Sequence, residues 1–114
     1  MRFAPAFASL ALAAWSGAAT AQPLAVPTPE EAKAAIITMF DEPGMTKSLQ
    51  AGRVGIGTCK KSSKPEHGGE VACTILLVAG AASTETQASF YREGGKWVAG
   101  PTDEDLPFPD PKLR

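Results

Sequence analysis

The chain has 114 residues, with 11 Lys+Arg against 12 Asp+Glu, a formal charge of −1, and 44% hydrophobic residues. That length holds one small core and excludes a two-domain arrangement. The near-balanced charge excludes a general nucleic-acid or anionic-membrane binder, which depends on a basic field.

Residues 1–21 have the three-part layout of a secretory signal peptide. Arg2 supplies the positive end, Phe3 to Trp15 is an uncharged run, and Ala19-Thr20-Ala21 offers small residues where a signal peptidase needs them. Cleavage is expected between Ala21 and Gln22. The run is shorter than the roughly 20 apolar residues a membrane helix requires, and Pro5, Ser16 and Gly17 interrupt it. A single Arg fits the general secretion route rather than the twin-arginine route. Gln22, not Cys, follows the cleavage site, so no lipid or membrane anchor is expected. The mature protein is read as periplasmic or secreted. It keeps 93 residues (114 less 21), and losing Arg2 moves the charge from −1 to −2.

Residues 22–27 read as an extended leader. Thr28-Pro29-Glu30-Glu31 is a helix start: Thr28 caps, Pro29 suits the first turn, and Glu31 completes a capping box. Ala32, Ala35, Ile36, Met39 and Phe40 recur at spacings of three and four, which predicts an amphipathic helix, and Pro43-Gly44 is read as its end. Residues 52–59 predict a first strand, with Val54, Ile56 and Thr58 on one face. Lys60 to Gly69 is a polar loop. Val71 to Val78, apolar on both faces, predicts a central strand covered on two sides, or on one side with a partner beyond. Thr84 to Arg92 predicts a third strand. Glu93-Gly94-Gly95-Lys96 is a type I′ turn that pairs Arg92 with Trp97 and puts Phe90, Trp97 and Ala99 on one face. The fold class is therefore α+β: one N-terminal amphipathic helix on a four-stranded antiparallel meander, spanning residues 28–100. Residues 101–114, with four prolines and four acids, are read as an extended acidic tail that does not pack.

Cys59 and Cys73 are the two cysteines, and an exported protein is expected to join them. Their spacing is unlike the Cys-x-x-Cys of redox pairs, so the bond is read as structural. If they face each other across a hairpin, simple register puts Ile56 opposite Leu76 and Val54 opposite Val78.

No cluster with catalytic spacing stands out. His67 is the one histidine, and Glu66, His67 and Glu70 are too few for a catalytic zinc site, so this segment is read as a solvated loop. Gly55-Ile56-Gly57 begins like a dinucleotide fingerprint, but Lys60 takes the third glycine's place and no helix follows. Lys60, Lys61 and Lys64 make a small basic patch, and Asp103, Glu104 and Asp105 lack the alternation of a calcium loop. Neither a cofactor nor a metal is expected.

The capped helix, the meander and the closing hairpin Phe90-Tyr91-Arg92-Glu93-Gly94-Gly95-Lys96-Trp97 together resemble small exported bacterial proteins of cystatin-like or NTF2-like shape. That resemblance implies a curved sheet around a helix over residues 28–99. It transfers no site residues, because the cystatin Gln-x-Val-x-Gly loop is absent and the sheet face under the helix is apolar. The leading expectation is a non-enzymatic binding or interaction module, meeting a protein partner or a second copy through the outer face of strand 71–78. The alternative is an NTF2-like small-ligand carrier or enzyme with a pocket between helix and sheet, lined by Glu85, Tyr91 and Arg92.

Overall fold

The computed structural model describes residues 23–114; the expected signal segment 1–21, the cleavage expected after it and Gln22 lie outside the described residues. Helix α1 (Pro29–Phe40) begins as the capping box dictates. Thr28 Oγ1 accepts from the Glu31 amide at 3.1 Å, and Glu31 Oε1 accepts from the Thr28 amide at 2.9 Å. The helix closes on Asp41, whose φ of 51° is left-handed.

The one-helix expectation needs correcting here. Pro43 ends nothing further downstream: it opens a second helix, α2 (Pro43–Ala51). Proline has no N–H, and the first helical position needs none, so a residue read as a helix stop serves here as a start. Lys33 ties the two together by donating to the carbonyls of Gln50 and Gly52 at 2.9 and 3.0 Å. At Gly52 the chain passes the end of the sheet so closely that a Cβ would lie 1.8 Å from the Val78 carbonyl oxygen.

Four strands follow, β1 (Arg53–Lys61), β2 (Val71–Ala79), β3 (Ala82–Glu93) and β4 (Lys96–Gly100), antiparallel throughout and in the order β1-β2-β3-β4. Helix α1 packs against both outer strands, β1 and β4. Ala32, Ala35, Ile36 and Leu49 from the helices meet Val54, Val71, Ile75, Ala88, Phe90 and Ala99 from the sheet, and this is the core. The β3–β4 turn matches its sequence: Gly94 and Gly95 have φ of 60° and 81°, and Arg92 pairs with Trp97.

Cys59 and Cys73 are joined and face each other across β1 and β2. The rest of that register differs from the simple hairpin. Ile56 sits opposite Ile75 and Val54 opposite Leu77, because the pairing shifts between Ile56 and Cys59. One extra residue in β1 is a bulge, and a bulge leaves a backbone N–H without a ladder partner. The Thr58 amide turns instead to Thr74 Oγ1 at 2.9 Å and to Asp110 Oδ2 at 2.8 Å.

Asp110 belongs to the segment read as a loose tail, and this is the second correction. Residues 101–114 cross the sheet face opposite α1 and end in a 3-10 helix, Pro111–Leu113. Leu106 and Asp110 are buried. Composition suggested solvation, but the tail's acids find donors that the sheet leaves open, the bulge amide, the Thr74 hydroxyl and the Lys60 side chain, while the tail's own Arg114 donates to Glu85 of β3. The outer face of β2, expected to await a partner, is thus covered in large part by the chain itself. Ala72 and Thr74 are fully buried.

Candidate functional site

Among the described residues, two grooves lie between the docked tail and the sheet. One lies between the 62–70 loop and the 100–104 strap, with Ser89 and Tyr91 of β3 as its floor and a volume of about 570 Å³. Glu70 shapes the loop wall. Its Oε1 accepts from the Glu66 and His67 amides at 2.9 and 3.1 Å and stands 3.5 Å from His67 Nδ1. That hold lays the His67 ring flat on Tyr91, with centroids 3.6 Å apart and planes 4° from parallel.

The strap wall is fixed by side chains of the sheet. Gln87 Nε2 donates to the carbonyls of Thr102 and Glu104 at 3.2 and 2.6 Å. Ser89 Oγ donates to those of Gly100 and Pro101, each at 3.3 Å. Glu104 then bridges back to the loop, accepting from the amide and hydroxyl of Ser63 at 2.8 and 2.9 Å, with Lys60 Nζ 3.2 Å away. The Ser63 amide bond, more than any other contact, holds the Glu104 carboxyl below its ordinary value of 4.5. Ser62, beside that bridge and also lining the groove, is 7% exposed, and its hydroxyl has no hydrogen-bond partner among the described residues.

The second groove, of about 600 Å³, runs between the far end of the sheet and the tail, lined among others by Leu76, Glu85, Phe108 and Arg114. Glu85 acts there as a fastening. It accepts from the Asp110 amide at 3.1 Å and from Arg114 Nε and Nη2 at 2.9 and 2.6 Å, and the Asp110 amide bond is the largest influence lowering its carboxyl. Asp110 itself is pushed far below the usual carboxylate range, first by the Thr74 hydroxyl and then by the Lys112 amide.

The three residues expected to line one pocket do not converge. Glu85 and Tyr91 face the tail side of the sheet, in different grooves. Arg92 is offset by one residue from Tyr91, so strand alternation sends it to the other face, where its guanidinium lies 5.5 Å from the centre of the Trp97 ring. Between helix and sheet, where that pocket was expected, Ile36, Ile75 and Phe90 are packed and fully buried.

Three residues were passed over in the sequence. His67 is exposed, as a solvated loop implies, but it is also held by Glu70 three places on and stacked on Tyr91. Ser62 gave no signal. Asp110 was counted as tail charge, yet Asp-Pro-Lys-Leu is also a short helix start, and Gly57 marks the bare backbone on which it seats: a Cβ there would lie 2.6 Å from Asp110 Oδ2. Of the basic patch, Lys60 pairs with Glu104 while Lys64 lines the groove. Compared with protein-family models, curated proteins and solved structures, the chain matches none of them.

Proposed function

We propose that this chain is an exported, non-enzymatic binding module that holds its partner in the groove between the 62–70 loop and the 100–104 strap. The observation that carries this reading is the groove's construction. Loop, strand and strap come from three parts of the chain, and they are fastened to one another around an accessible aromatic stack and a buried hydroxyl without a partner among the described residues. Glu70 and Glu104 already hold backbone amides, which supports a role as struts rather than as proton-transfer groups.

Export is supported by the layout of residues 1–21 and by the Cys59–Cys73 bond, which suits an oxidising compartment. Among the described residues no helix is long and apolar enough to cross a membrane. A cystatin-like or NTF2-like outline is supported by a helix that touches both outer strands of a meander.

Native mass spectrometry of the protein isolated from the cell envelope tests this reading. The expected result is a chain beginning at Gln22 that carries a companion mass, lost when His67→Ala removes an exposed ring and leaves the core intact. A companion retained by that variant, or none in the wild type, overturns the groove as the binding site.

A further inference from the structure

The groove's lining points to the kind of group it receives. Four acids line it, Glu66, Glu70, Asp103 and Glu104, against one lysine, Lys64. Lys60 neutralises Glu104 from the side, and the balance stays negative. Glu70 is committed to the loop backbone, but Glu66 and Asp103, on the two walls, are exposed and make no side-chain hydrogen bond or ion pair among the described residues.

An acidic lining alone marks nothing, since solvated acids are ordinary. The second observation is Ser62: 7% exposed and lining the same groove, its hydroxyl, able to accept as well as donate, has no hydrogen-bond partner among the described residues. A buried hydroxyl in that state is unfavourable, and a ligand bringing N–H groups relieves it. The third is the His67–Tyr91 stack, which offers a flat ring face beside these acceptors.

We propose that the groove binds a cationic side chain, arginine's guanidinium in the first place, presented by an extended segment of a partner protein. This rests on the binding-module reading above. Guanidinium is planar and stacks on ring faces. Its five N–H donors can engage a carboxylate in pairs and still leave one for a hydroxyl. The same fold already lays Arg92 over Trp97 on its other side. A lysine keeps the charge but lacks the stacking plane and the paired donors. An anionic ligand would meet repulsion from both walls.

Titration of the purified protein with acetyl-Gly-Ala-Arg-Ala-Gly-amide, followed by backbone amide NMR shifts, tests the proposal. The same peptide with citrulline, and one with glutamate, serve as neutral and acidic counterparts. The arginine peptide is expected to move resonances of residues 62–70, 89–91 and 100–104, to bind about tenfold more tightly than the citrulline peptide, and to weaken with added salt. Glu66→Gln/Asp103→Asn should lose about tenfold for arginine only, with the amide shifts of α1 and β2 unchanged as proof of folding. If citrulline or glutamate binds as well as arginine, the cationic class is wrong while the groove stands. If none of the three peptides moves those residues, the proposal fails, and the binding-module reading is then judged by its own envelope experiment.

Discussion

Gly57 and Asp110, 53 positions apart in the chain, are in contact across the sheet: a Cβ added to Gly57 would stand 2.6 Å from Asp110 Oδ2 and 2.3 Å from Thr74 Oγ1. Bare backbone at the β1 bulge is what lets the tail's carboxylate reach the Thr58 amide. Gly57→Ala is therefore expected to lift the tail from the sheet and to cost about 2 kcal/mol, the usual scale of overpacking. Hydrogen exchange at the Thr58 amide reads it directly. Protection should fall there, while the amides of β3 that pair with β4 keep theirs. Unchanged protection at Thr58 would mean that the tail does not depend on this seat.

All three carboxyls that fasten the tail, Glu85, Glu104 and Asp110, are lowered in the folded protein, and this fixes the direction of the pH response. Below the ordinary values of 4.5 for Glu and 3.8 for Asp, the unfolded chain takes up protons that the folded chain refuses. Their stabilisation is thus complete above about pH 5 and is lost as pH falls through the lowered folded values. Urea midpoints should be level from pH 8 to 5 and decline below about 4.5. Asp110→Asn should lower the level part and flatten the decline. A midpoint that rises on acidification would contradict this assignment.

The elements whose signal is local were legible in the sequence. Thr28 and Glu31 specify the start of α1 by themselves, and Gly94-Gly95 specifies a hairpin turn that fixes Arg92 opposite Trp97. What was not legible depends on groups far apart in the chain. The bulge at residues 57–58 has no pattern of its own. It exists where Asp110 supplies an acceptor for the amide it frees, and neither half is meaningful alone. The groove follows the same rule, since Tyr91 reads as one more strand aromatic until the 62–70 loop brings His67 onto it. Pro43 shows a different limit, because one residue type carries both a stop and a start.

Two phenylalanines should separate core from surface. Phe90 is fully buried among core residues, whereas Phe108 is 45% exposed. Phe90→Ala is expected to cost about 3–5 kcal/mol, a large share of the stability of so small a domain. Phe108→Ala should fall within about 0.5 kcal/mol of wild type, as surface changes do. Equilibrium urea unfolding measures both. Comparable losses at the two positions would show that the tail side carries the core to the same degree as the helix side.

The Cys59–Cys73 bond spans 14 positions and encloses the loop that forms one wall of the groove. Closing a loop of that size removes about 3 kcal/mol of unfolded-chain entropy. Cys59→Ala/Cys73→Ala should therefore destabilise the protein by about that amount and, with the sheet still paired at 71–78 to 83–90, loosen residues 62–70. The His67–Tyr91 stack gives a readout separate from global stability. Protons of an imidazole lying flat on a phenol ring resonate upfield, and the displacement should shrink toward the free-histidine position in the double variant under conditions where it is still folded. If the upfield displacement survives intact, Glu70 and the Ser63–Glu104 bridge alone hold the wall, and the bond serves stability without shaping the site.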